Sequence, residues 1–345
     1  MVPLSRPVRE DATLGLSCAS RGFTPRVHIQ RVDTPAERQA ELLQGLRAEA
    51  ARISPKFFYD AQGCALYEAI CRLDEYYPPR VEASLFEQHR RSIAAALPDA
   101  AQWVDLGCGD GAKAMRWMER LQVRRYLGVD IAEDWLRDTL QRGARRFPST
   151  CFEGVVTDFT RGLDLHEVLD PDLPRVFFYP GSSIGNFDPS QALGLLGQIR
   201  AHLRDSDRLL IGVDTPKPLQ VLLPAYDDAL GVTAAFNLNV LRVVNRELGA
   251  DFRAADFAHR AVFDATHSRI EMHLVARRDV SVRLGVHGSR RFKEGEPIVT
   301  EHSYKHAPEA FTQWLEQAGF GSVEHWRDRD GHFAVFVAGP TRAVQ

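Results

Sequence analysis

Cysteine is scarce and scattered. Cys18, Cys64, Cys71, Cys108 and Cys151 are an odd five in 345 residues, with no CxxC pair and no Cys/His cluster at zinc-finger spacing. That argues against a disulfide framework and for reduced thiols in a cytoplasmic protein. No apolar run approaches the roughly 18 residues that a membrane-spanning helix needs. The N-terminal stretch is interrupted by Arg6, Arg9, Glu10 and Asp11, so it lacks the apolar core of a signal peptide. An excess of basic charge is missing too. The 43 Lys+Arg against 46 Asp+Glu give a net charge of −3, which speaks against a generally basic nucleic-acid binder. No P-loop, internal repeat or low-complexity tract occurs. The expectation is a cytoplasmic protein with neither a membrane nor a nucleic acid as partner.

What is present is ordinary globular material, 44% hydrophobic and 26% charged, long enough for one large domain or two smaller ones. "TPAERQAELLQGLRAEA" opens with Thr34 as N-cap and Pro35 at the first helical position. "GCALYEAICRL" and "VEASLFEQHRRSIAAAL" read as two further helices. From Trp103 short apolar runs alternate with helices: "WVDLG", "RYLGVDI", "CFEGVVTDF", "RVFFYPG" and "RLLIGVD" are strands, which implies βαβ units and a parallel, doubly wound sheet. Between Thr215 and Thr300 that rhythm breaks. A long helical stretch, "PLQVLLPAYDDALGVTAAFNLNVLRVVNREL", precedes alternating strands in "RAVFDATHSRIEMHLVARRDVSVRL", as if another architecture were inserted. A last helix and two strands, "SVEHWRD" and "HFAVFVA", would complete the sheet.

"VDLGCGDG" has the form strand–acid–Gly-x-Gly-x-Gly–helix, with Gly107 and Gly109 letting the backbone approach a ligand. Asp130 ends the next strand, where a carboxylate takes ribose hydroxyls, and Asp158-Phe159 ends the third, within reach of an adenine. A dinucleotide-binding dehydrogenase is the rival reading. The G-x-G-x-G spacing instead favours an S-adenosylmethionine-dependent methyltransferase.

"IVTEHSYKH" (298–306) concentrates reactive groups. In an extended chain Glu301, Ser303 and Lys305 share one face, while His302, Tyr304 and His306 share the other. His302 and His306 would then lie roughly 13 Å apart, which disfavours a metal site with Glu301.

Several long strings resemble the histidine-specific Nα-methyltransferases of ergothioneine biosynthesis: "SPKFFYDAQGCALYEAICRLDEYYPPRVE", "YPGSSIGNF", "AYDDALGVTAAFNLNVLRVVNRELGADF", "RIEMHL" and "TEHSYK". The resemblance implies S-adenosylmethionine as methyl donor, no metal, and three methyl transfers to the α-amine of L-histidine to give hercynine. It also implies a sulfur-inserting enzyme as pathway partner. The implied fold is α/β: a Rossmann-like class I methyltransferase sheet domain (81–215 and 306–345) with a second α+β substrate-binding domain (26–80 and 216–305), after a flexible tail (1–25).

By the same resemblance, Asn186 and Tyr226 hold the substrate's amino-acid end and Tyr76 joins them. Tyr59 stands near the reacting nitrogen. Gly181, Thr233 and Met272 shape the pocket, and Glu301 and Ser303 meet the imidazole. Gly107, Gly109, Lys113, Asp130, Asp158 and Phe159 hold the cofactor. Tyr67 stands where a relative has Phe, and Cys108 and Asp110 depart from the family loop. Two alternatives are an Nα-methyltransferase of another aromatic amino acid and a noncatalytic S-adenosylmethionine-binding regulator.

Overall fold

The computed structural model describes residues 24–341; most of the expected N-terminal tail lies outside them. Its centre is an eight-stranded sheet of β1 (Arg26–Ile29), β2 (Gln102–Leu106), β3 (Arg125–Asp130), β4 (Cys151–Val156), β5 (Arg175–Tyr179), β6 (Arg208–Asp214), β12 (Phe320–Arg327) and β13 (Phe333–Pro340). The order is β1-β4-β3-β2-β5-β6-β13-β12. The first six strands in that order run parallel, and β13 and β12 close the edge antiparallel. Strand β2 is buried along its whole length, because helices cover both faces of a parallel sheet. Leu127, Phe177 and Ile211 pack on one side, and Trp103, Phe178 and Leu210 on the other.

The break in rhythm marks a second unit with its own core. Leu42, Phe58 and Tyr77 from the N-terminal segment pack there against Phe236, Val240, Met272 and Ile298 from the insertion. Its three-stranded antiparallel sheet runs β11 (Pro297–Tyr304), β8 (Arg269–Ala276), β7 (Phe257–Asp264), and β9 (Val280–Arg283) with β10 (Ser289–Phe292) forms a ribbon beside it. On β8 the buried residues alternate strictly, with Ile270, Met272, Leu274 and Ala276 turned inward.

Three expectations change in detail. Arg26–Ile29 does not join the second unit but pairs with β4 as the edge strand of the large sheet, Val27 lying opposite Gly154. The long helical stretch is two helices, Leu219–Tyr226 and Val232–Leu248, because Gly231 takes a left-handed φ of 74° and Asp228 caps the second through the Val232 and Thr233 N–H groups. Likewise "VEASLFEQHRRSIAAAL" divides at His89 into helices Pro78–Gln88 and Arg90–Ala95. The N-terminal helix, Pro35–Arg47, carries the full capping box, in which Thr34 and Glu37 satisfy each other's backbone N–H. No helix among the described residues is long and apolar enough to cross a membrane.

Candidate active site

The carboxyl ends of β2, β3 and β4 open into a cavity of about 860 Å³, within the range of small-molecule sites. All six expected cofactor residues line it: Gly107, Gly109, Lys113, Asp130, Asp158 and Phe159. Gly109 has a φ of 51°, and a Cβ there would meet nothing within 4 Å, so its missing side chain leaves space against the cavity. Asp130 is fixed by the Gly109 and Ala132 N–H groups, each donating at 3.0 Å. Burial raises its pKa, and these two donors pull it back. A glycine cradle beside a fixed carboxylate suits a ribose-bearing cofactor. Lys113 pairs with the buried Glu82 at 2.6 Å, whose other oxygen accepts from Gly181 N–H at 2.7 Å. Asp158 accepts from Lys56 at 3.3 Å and from Thr160.

A narrower pocket adjoins this cavity, and Tyr59, Tyr67, Gly181, Ser183 and Asn186 line both. Every expected substrate residue faces it: Tyr59, Tyr76, Gly181, Asn186, Tyr226, Thr233, Met272, Glu301 and Ser303. Tyr59, Tyr67, Tyr76 and Tyr226 form a chain of rings with successive centroids 6.1, 6.5 and 6.1 Å apart, edge to face. Asn186 is not a helix cap, because Asp188 caps the next helix through Gln191 N–H.

Glu301 is half-buried in the wall of this pocket. No hydrogen bond from the described protein reaches its carboxylate, and burial pushes its pKa up to about 7 while Lys305 pulls it down. A carboxylate with no protein donor leaves its acceptors free for a donor that arrives with a ligand.

Residues 38–340 match the family described as histidine-specific methyltransferase, S-adenosylmethionine-dependent. The chain belongs to that family. The histidine N-alpha-methyltransferase of Mycolicibacterium smegmatis is 36% identical over 312 residues, covering 89% of this chain and 96% of that protein. Its counterpart in Mycobacterium tuberculosis is 34% identical over 307 residues, covering 86% and 93%. Ergothioneine biosynthesis protein 1 of Schizosaccharomyces pombe is 28% identical, covering 81% of this chain and 38% of that protein.

In this methyltransferase the sequence reading missed a buried polar network behind the pocket. Lys305 donates to Tyr226 Oη at 2.7 Å and Ser303 Oγ at 2.8 Å, and pairs with Asp214 Oδ2 at 2.8 Å. Asp214, at the end of β6, also accepts from Tyr77 Oη at 2.6 Å and from Lys217. These two cations hold the Asp214 carboxyl below its usual range despite complete burial. Burial lowers Lys217 to about 8, whereas Asp214 and Tyr226 raise Lys305. The available signals were the acid ending "RLLIGVD" and the placement of Lys305 on the Glu301–Ser303 face. His302 faces away toward Glu271, 3.6 Å from it, and His306 meets Trp314 edge-on with Nε2 buried and unpartnered.

Proposed function

We propose that this methyltransferase moves three methyl groups from S-adenosylmethionine to the α-amine of L-histidine, giving hercynine (Nα,Nα,Nα-trimethylhistidine) in ergothioneine biosynthesis. The observation that carries the reading is the carboxylate of Glu301, without a protein donor, in the same pocket lining as Ser303, Asn186 and Tyr226. An imidazole N–H supplies the missing donor, while Tyr226 and the Asn186 amide take the substrate carboxylate.

When bound, S-adenosylmethionine supplies an electrophilic methyl on a sulfonium. Gly107, Gly109 and Asp130 would hold its ribose end, and Asp158 with Phe159 its adenine. What the chain then contributes is mainly alignment, which accounts for roughly 7–11 kcal/mol of a bimolecular barrier. Tyr59 lines the junction of the two cavities. Burial, and next the Glu301 charge, raise its pKa far above the ordinary phenol value, so the resting group is neutral. Tyr59 is therefore an orienting hydrogen-bond partner of the amine, through water, and not a standing base. The Tyr59, Tyr67 and Tyr76 rings in the pocket lining would accommodate the growing trimethylammonium by cation–π attraction.

Labelled S-adenosylmethionine incubated with each common amino acid tests the reading. Three transfers to L-histidine are expected. Transfer only to tryptophan or tyrosine, or cofactor binding with no transfer to any amino acid, would overturn it.

A further inference from the structure

Lys305, Tyr226 and Ser303 form a closed triangle of contacts, with Tyr226 Oη and Ser303 Oγ also 2.8 Å from each other. An ammonium has three donors and no acceptor. Lys305 uses all three, on Tyr226, Ser303 and Asp214. Both hydroxyl oxygens therefore accept from it. They share one bond between themselves, which consumes one of their two protons. Only one hydroxyl is left able to donate into the pocket.

A ligand carboxylate at Tyr226 requires a donor there. Ser303 must then give its proton to Tyr226, and what it turns toward the ring is a lone pair. Glu301 presents acceptors to the same ring. We propose that the Lys305 ammonium couples the two ends of the substrate, so that carboxylate binding makes Ser303 an acceptor and the ring is held with one extra proton shared with Glu301. The proposal rests on the assignment of the ring to Glu301 and Ser303. That proton lies either as imidazolium N–H to carboxylate or as imidazole N to protonated Glu301; the total is the same.

The groups facing Glu301 are few. Lys305 directly follows its strand, and the Tyr59 and Tyr76 phenols share its pocket. Asp214, Tyr77 and Lys217 stand behind Lys305. Met272 is its neighbour on β8, while Arg269, Glu271, His273 and His302 form contacts of their own around Glu271. At pH 8 neither a free ring (pKa about 6.5) nor free Glu301 (about 7) carries the proton. Binding at pH 8 therefore takes one up, and uptake falls as pH drops below about 7, where a free partner already holds it.

The test is calorimetric titration of the full-length protein at pH 8 in buffers of different ionisation enthalpy. Trimethylated histidine is the probe, since its quaternary nitrogen cannot titrate. Uptake of about one proton per bound ligand is expected. In Tyr226→Phe, Ser303 is free to donate and a neutral ring binds, so uptake should fall below about half. Binding of the probe to the wild type without proton uptake, or full uptake in the variant, overturns the inference while leaving the proposed reaction intact. If neither histidine nor the probe binds a protein that still binds the cofactor, both fall.

Discussion

Glu301 stands directly opposite Met272 in the β8–β11 ladder, one residue beyond a bulge at Thr300. Before the bulge Ile298 faces Leu274, and after it Ser303 faces Ile270. The bulge inserts one residue and thereby moves the odd-numbered positions to the inner face already occupied by Ile298. Thr300 Oγ1 secures it, 2.7 Å from Asn237 Oδ1 and 2.9 Å from Met272 O.

Glu301→Ala should weaken histidine binding and reduce discrimination against other aromatic amino acids. A charge-assisted hydrogen bond to the ring contributes about 1.5–3 kcal/mol, or roughly ten- to hundredfold in Kd. Calorimetry with histidine, tryptophan and tyrosine checks this. An unchanged histidine Kd would remove Glu301 from ring recognition.

The pH dependence of stability follows from the same group. Its folded pKa of about 7 lies above the value near 4.3 of an unfolded chain. The folded state therefore holds the extra proton between those values. The associated stability is complete below about pH 4 and lost as pH rises through about 7. Glu301→Gln keeps the shape and does not titrate, whereas Asp105, also raised to about 7, titrates in both proteins. The variant's Tm relative to wild type should rise by on the order of a few °C from pH 5 to pH 8. A pH-independent difference would contradict the recessed, donor-free setting.

Gly109→Ala separates folding from cofactor binding. The left-handed φ of 51° costs an alanine about 1–2 kcal/mol, and the new methyl meets nothing in the protein itself. A folded variant with a modest loss of Tm and at least tenfold weaker S-adenosylmethionine binding is expected. Unaltered cofactor affinity would mean that the ligand does not approach this turn.

Gly181→Ala should act on both cavities. Its φ is 79°, and an added Cβ would come within 2.9 Å of Lys113 Nζ. Lys113 can swing away only by loosening its bond to Glu82, which also holds Gly181 N–H. Steady-state kinetics should give higher KM values for histidine and for S-adenosylmethionine together. A change in one alone would refute the link through Glu82.

Local pattern made much of the fold legible. The short buried strands, the glycine turn with its following acids, and the Thr34 capping box are consequences of neighbouring residues and appear where the sequence places them. Family strings located the pocket residues, all of which meet at one site. The role of Arg26–Ile29 was not legible, because four residues carry too little periodicity to choose between two sheets. Lys305 was also hidden: a lysine is rarely fully buried unless paired, and its partner Asp214 lies far away in sequence.

By itself the sequence determined the class of fold, the cofactor turn and the alternation that puts Glu301, Ser303 and Lys305 on one side. Only the tertiary structure decided that this side faces inward, since one unpaired residue at Thr300 reverses the phase of the strand. It also brought Asp214 from β6 under Lys305 from the end of β11. A buried ammonium needs an anion and acceptors from whichever elements surround it, and that neighbourhood exists only once the two units are packed together.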